Sequence, residues 1–132
     1  MDTKLMKFIA AVAAIFLLTG FGAGAPIYNV TGSAIPPSPA ATMDNIGKAV
    51  LRAGLTLGWQ MTPKGPGAVE GVLVLRTHRA VVDITYDIKT FNITYKDSVN
   101  LDYREKEKTI HSNYNGWIQN LEKAVRAQVL VL

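Results

Sequence analysis

Residues 69–96 hold three consecutive runs of β-forming residues whose apolar positions fall into register, and this constrains the fold more than any other stretch. If Leu75 faces Val82 across a hairpin turning at His78-Arg79, then Leu73 faces Ile84 and Gly71 faces Tyr86. A second hairpin turning near Ile88-Lys89 sets Tyr86 opposite Phe91, Ile84 opposite Ile93 and Val82 opposite Tyr95. Both registers put the apolar residues on one face. The other face carries Val72, Val74, Arg76, Val81, Asp83, Thr85, Asn92, Thr94 and Lys96, a mixture suited to solvent. Neither connection has Asn-Gly or Asp-Gly chemistry. A second arrangement therefore stays open, in which Arg76, His78, Ala80, Val82 and Ile84 share one face of a longer strand.

Helical periodicity flanks this block on both sides. Met43, Ile46, Val50, Ala53 and Leu57 recur at helical spacing, with Thr42 or Asp44 available as a cap and Gly58 as a terminator. Gly47, Ala49, Ala53 and Gly54 are small enough to let that helix lie close to its support. Near the C-terminus, Tyr114, Trp117, Ile118, Leu121, Val125 and Val129 form one stripe, capped by Ser112 or Asn113 and supported by a Glu122–Arg126 pair. A short edge strand is expected at 58–62, a turn at 64–67 and another edge strand through Val99, Leu101 and Tyr103; the alternating charges of 104–108 read as a solvated loop. The expected fold is α+β and two-layered: an antiparallel meander of three to four strands, with an N-terminal and a C-terminal helix packed on one face.

A chain of 132 residues is normally one domain, but its first part reads as a leader. Lys4 and Lys7, an apolar run over 8–18 and the small residues Gly20, Gly22, Ala23, Gly24 and Ala25 follow the order of a secretory signal peptide. The apolar run is too short to span a bilayer comfortably, since about 20 residues are needed. The expected division is a signal peptide at 1–25, a flexible leader rich in Pro, Ala and Ser at 26–41, and a folded domain at 42–132. Ala23-Gly24-Ala25 has the form of a cleavage site but is followed by Pro26, so a cut one or two residues earlier, or at Ala34, is an alternative. Leu18-Thr19-Gly20 begins like a lipobox, yet Phe21 stands where the acylated cysteine belongs, and the chain has no cysteine at all. The expected location is therefore periplasmic or secreted, with no stable membrane span once the leader is removed. A net charge of +4 with interspersed signs gives no basic stripe for nucleic acid.

Gly58-Trp59, Gly65-Pro66-Gly67, Arg76 and His78 ahead of Val82, Asp97-Ser98 with Leu101 and Tyr103, and Ile110-His111 leading into Asn113-Tyr114-Asn115 and Trp117-Ile118 form a pattern over about residues 46–121. This pattern resembles a group of small, uncharacterised exported bacterial proteins, many of them lipoproteins. The resemblance implies export and a compact domain; it carries no activity, and the Phe21 position removes the lipid anchor.

The polar residues divide between ordinary and functional readings. Ser98, His111 and Asp97 include the residue types of a hydrolytic triad, but neighbouring Asp97 and Ser98 in an extended segment point to opposite sides, and no Gly-x-Ser-x-Gly elbow surrounds the serine. No catalytic residue is assigned. Two histidines without thiolates or paired carboxylates give no metal site, and the absence of a glycine-rich phosphate loop gives no cofactor. Asn113-Tyr114-Asn115 with Trp117 reads first as capping and core packing. The sharper expectation joins Asn113 and Asn115 to Trp59, Arg76, His78, Tyr103 and His111 as a binding surface, because aromatics, amides and arginine are enriched where proteins recognise partners. The expected function is a non-enzymatic binding module of the cell envelope, with an envelope protein or peptidoglycan as partner. A small periplasmic hydrolase or enzyme inhibitor is the alternative.

Overall fold

The computed structural model describes residues 24–132, so the expected signal peptide lies outside the described residues except for Gly24 and Ala25. The fold is mixed α+β. Strands β1 (Ala25–Pro26) and β2 (Val30–Ala34) precede helix α1 (Met43–Thr56); β3 (Gln60–Gly65), β4 (Ala68–Leu75), β5 (His78–Tyr86), β6 (Thr90–Val99) and β7 (Thr109–Ile110) lead into helix α2 (Ser112–Leu130). Five strands form one antiparallel sheet in the order β2-β6-β5-β4-β3, and β1 pairs separately with β7.

The alternation read from the sequence selects the buried face. Val69 and Leu73 of β4, Ala80, Val82 and Ile84 of β5, and Phe91 and Ile93 of β6 share a single core with Ile46, Val50 and Ala53 of α1 and Tyr114, Ile118, Leu121, Val125 and Val129 of α2. The opposite face carries Lys96 between Glu70, at 2.8 Å, and Asp83, at 3.5 Å. The β5–β6 register is the expected one, with Val82, Ile84 and Tyr86 opposite Tyr95, Ile93 and Phe91.

The first hairpin differs. It turns at Arg76-Thr77 rather than His78-Arg79, so that Leu75 faces His78, Leu73 faces Ala80 and Gly71 faces Val82. An even-numbered slide preserves which residues face inward, and the sequence pattern therefore fits either register. Two features favour the observed one. The tight turn, with Arg76 at a φ of 55°, lets all of β4 pair, from Ala68 to Leu75. It also sets Val82 against Gly71, where the missing side chain makes room: a Cβ on Gly71 would lie 3.2 Å from both Trp59 Cε3 and Val82 Cγ2.

Helix α1 begins and ends as its sequence implies. The Thr42 side chain accepts a hydrogen bond from the Asn45 amide at 3.2 Å. At the other end the Gly58 amide donates to the Leu55 carbonyl at 3.2 Å and the Trp59 amide to the Gly54 carbonyl at 3.0 Å, a Schellman closure with Gly58 at a φ of 85°. The small residues do let the helix settle on the sheet, since Gly47 lies against the Tyr86 hydroxyl and Gly54 against the Met61 side chain.

Three segments depart from the sequence reading. Residues 26–41, expected as a flexible leader, contain β2, which forms the sheet edge beside β6 and buries Val30 and Ser33, with Ile35 buried just beyond it. A bulge at Gly32, with a φ of 65°, breaks the alternation that would have revealed this strand, and side chains fasten it instead: Asn92 Oδ1 accepts from the Gly32 amide at 2.7 Å, and Asn29 Oδ1 from the Tyr95 amide at 2.9 Å. The sheet therefore has five strands rather than three or four. Val99, Leu101 and Tyr103 do not form a separate strand; Val99 ends β6, and Leu101, only 1% exposed, anchors the loop that follows. Helix α2 is capped by His111, whose Nδ1 accepts from the Asn113 amide at 3.1 Å, rather than by Ser112 or Asn113.

Two glycine-to-alanine substitutions should act in opposite directions. Gly67 has a φ of 72° in the β3–β4 turn, and a Cβ there would lie 2.6 Å from the Tyr86 carbonyl oxygen; Gly116 lies inside α2 with open space around its Cα. Gly67→Ala is expected to destabilise by about 2 kcal/mol, from left-handed strain and a backbone clash. Gly116→Ala is expected to stabilise by about 0.5–1 kcal/mol through helix propensity. Urea unfolding of the two variants beside the parent checks both signs.

Candidate functional site

The end of β6 departs from regular pairing, and a groove forms there. Val82 pairs with Tyr95 but Val81 pairs with Asp97, so Lys96 is the extra residue of a bulge. Its ammonium turns to the open face, where the hydrogen bond with Glu70 holds the Glu70 carboxyl below its ordinary range and the lysine above its own. Past the bulge, Asp97 Oδ1 accepts from the Ser98 amide at 2.9 Å, and the Ser98 and Tyr95 hydroxyls lie 2.8 Å apart. Asn100 and Asp102, both with positive φ, then reverse the chain around buried Leu101 and bring Tyr103 back over Tyr95. The two rings stack with centroids 4.2 Å apart, and Tyr114 of α2 meets Tyr95 edge-on at 5.7 Å. Tyr95, Lys96, Asp97, Ser98, Asn100, Leu101, Asp102, Tyr103 and Glu105 line an open groove of about 610 Å³.

Beside this groove, His78 and His111 place their rings 6.3 Å apart, and Trp117 lies 6.3 Å from His78. Both imidazoles are committed to backbone partners. His78 Nδ1 lies 2.6 Å from the Asn100 carbonyl oxygen, which can only accept, so this nitrogen carries a proton. His111 Nδ1 accepts from the Asn113 amide and carries none. The pair thus ties the groove loop to the start of β5 and the cap to the start of α2. Among the described residues, no group of three or more His, Cys, Asp or Glu side chains converges as a metal site would require. Also among the described residues, no helix is long and apolar enough to cross a membrane.

The residues singled out from the sequence separate into three groups. Tyr103, His78 and His111 meet at or beside the groove, and Asn113 is exposed at the adjoining helix start. Arg76 is exposed in the β4–β5 turn. Trp59 and Asn115 belong elsewhere. Trp59 is 2% exposed and packs over Gly71, so its ring is core and unavailable to a ligand. Asn115 is occupied by its own chain: Oδ1 accepts from the Tyr28 amide at 2.9 Å, and Nδ2 donates to the Pro26 carbonyl at 2.8 Å. The sequence reading left Tyr95, Asn100, Asp102 and Glu105 out of the candidate set. Only Tyr95 had a local signal, as an inward residue of β6, and its place in the groove comes from the chain reversal after Val99.

The same helix holds the N-terminal segment at a second point. The Tyr28 hydroxyl donates to Glu122 Oε2, Arg126 lies 2.7 Å from Glu122 Oε1, and Arg126 Nε donates to Ser33 Oγ at 3.1 Å. The Glu122 hydrogen bond and burial raise the Tyr28 phenol above its ordinary range. Burial likewise raises Tyr95 and, more strongly, Tyr114, whose hydroxyl is fully buried with no hydrogen-bond partner among the described residues. No family model, curated protein or solved structure matches the chain.

The tyrosines set an alkaline limit. Each folded-state phenol holds its proton above the unfolded value near pH 10, so the folded chain binds more protons there and stability falls as pH rises past about 10. Below that value the contribution is constant. Tyr114→Phe removes the unpartnered hydroxyl and keeps the ring; it is expected to stabilise by about 1 kcal/mol at pH 7 and to flatten the alkaline fall. Urea midpoints measured between pH 7 and 11 check this, and a destabilised variant at pH 7 contradicts it.

Proposed function

We propose that this chain is an exported, non-enzymatic binding module of the bacterial cell envelope, and that the groove at the end of β6 receives a polar polymer such as peptidoglycan. The observation that carries the reading is the composition of the groove: two stacked tyrosines beside a serine, an asparagine, three carboxylates and one lysine, Lys96, whose ammonium is bonded to Glu70. Aromatic faces provide contact area for sugar rings or apolar stems. Carboxylate and amide oxygens accept from hydroxyls, amides and ammonium groups. Export is supported by the leader-like order of residues 1–25 and by the resemblance of the Gly-Trp, Arg-x-His and Asn-Tyr-Asn pattern to exported bacterial proteins.

Binding is favoured over hydrolysis because the Ser98 hydroxyl bonds Tyr95, Asp97 accepts from the Ser98 amide, and both histidines bond backbone. A serine nucleophile needs a histidine in hydrogen-bond reach and a carboxylate orienting that histidine.

Sedimentation with purified peptidoglycan sacculi tests the reading. The parent is expected to co-sediment, Tyr103→Ala to lose about tenfold or more in affinity as a central aromatic contact does, and Lys123→Ala, exposed on α2, to bind as the parent. Equal binding by Tyr103→Ala, or no binding by the parent, sinks the groove as the peptidoglycan site. Turnover of a hydrolase substrate that vanishes in Ser98→Ala replaces binding with catalysis.

A further inference from the structure

The packing of the N-terminal segment limits where an export leader can end. Ala25 and Pro26 lie opposite Ile110 and Thr109, the Ile27 amide donates to the Lys108 carbonyl at 2.9 Å, and Asn115 bonds the backbone on both sides of Ile27. Gly24 already belongs to this packing, because a Cβ on it would stand 2.7 Å from the Ile110 carbonyl oxygen. The fold therefore reaches back to Gly24. Removal of the chain up to Ala34 would take β1, β2 and buried Val30, unpair one edge of β6, and leave Asn115 and buried Glu122 without Pro26 and Tyr28. Stripping partners from buried polar groups costs about 1–3 kcal/mol each, a large share of a small domain's stability.

The bonds further upstream differ in their flanking residues. Leader cleavage needs small residues just before the cut and two positions earlier. Ala34 with Gly32 meets that rule but fails on packing. Ala25–Pro26 places a proline, which has no N–H and a locked φ, directly after the cut. Ala23–Gly24 puts Phe21 where a small residue is required. Gly24–Ala25 discards the packed glycine and puts a charged amine on half-buried Ala25. Gly22–Ala23 has Gly20 and Gly22 in the two small positions and keeps every contact from Gly24 onward.

We propose that export processing hydrolyses the Gly22–Ala23 bond, so that the mature chain begins at Ala23 and retains β1 and β2 as a built-in arm. One water adds across the amide; the leader departs with the Gly22 carboxylate, and the mature chain keeps the Ala23 amine. The inference rests on the exported reading above, and the two fail in different ways.

The test is to express the full chain in a bacterium, separate periplasm and medium from cytoplasm, and determine the N-terminus and intact mass. The exported chain is expected to start at Ala23. Gly22→Leu is expected to abolish that N-terminus, and Ala34→Val, at an exposed position, to leave it unchanged. An exported chain that starts at Ala25, Pro26 or Ile35, or that keeps residues 1–22, overturns the cleavage site and leaves export standing. An Ala23 N-terminus that persists in Gly22→Leu also overturns it. A chain confined to the cytoplasm overturns export and the site together.

Discussion

Strand β5 is paired along both edges, and every other element takes its place from that double pairing. Its inward residues Ala80, Val82 and Ile84 are fully buried, each between a residue of β4 and one of β6. A slide by one residue would turn them all to solvent. Burying a valine or isoleucine side chain contributes about 1.5–3 kcal/mol, so such a slide would cost most of a small domain's stability of about 5–15 kcal/mol. A slide by an even number, such as the four residues that separate the expected register from the observed one, costs far less in burial, and the choice then passes to shape. Gly71 opposite Val82 is the pairing that leaves space for Trp59 and Met61, and through Met61 it also sets the seat of α1 at Gly54.

The N-terminal arm is held by a different kind of force. Its strand β2 is short and bulged, so its ladder is weak, and much of its attachment comes from polar side chains of α2. Glu122 is 8% exposed, and a buried carboxylate is tolerated only when it is paired and hydrogen-bonded. Arg126 and Tyr28 supply both conditions. The dependence is mutual: the arm shields the carboxylate, and the carboxylate holds the arm. Because breaking one partner of a buried pair costs more than the pair contributes net, the arm behaves as an integral part of the domain despite its flexible composition.

This contrast explains what could be read from the sequence. Both helices, the inward face of the meander and the β5–β6 register rest on periodicities that repeat within a few residues. The first hairpin's register, β1, β2 and β7 do not, because they depend on contacts across long separations. Asn115 and Tyr28 stand 87 positions apart, and nothing near either residue announces the bond. The candidate site divides in the same way. Tyr103, His78 and His111 stood out by residue type, and the fold places them at or beside the groove. Asn115 and Trp59 stood out equally, but one grips backbone and the other fills core. Residue type identifies polar and aromatic groups with capacity to spare; only the fold shows which have already spent it on the chain itself.

The groove also illustrates how local charge can oppose the charge of the whole. The chain carries a net charge of +4, which alone would suggest an anionic partner. Lys96, the cation that lines the groove, is bonded to Glu70 at 2.8 Å and also approaches Asp83, while Arg104 stands 3.8 Å from Asp102. Three carboxylates, Asp97, Asp102 and Glu105, thus line the groove against one lysine that is already paired. At physiological ionic strength, exposed charges are screened beyond about 8 Å, so the distant lysines and arginines do not outweigh carboxylates in contact with a ligand. A unit pair at 4 Å retains about 1 kcal/mol even in water and more near a protein surface. Each carboxylate in direct contact thus discriminates against an anion and in favour of a donor. With tyrosine faces on the same wall, the groove suits a ligand that presents ring or stem surface together with hydroxyl, amide or ammonium groups.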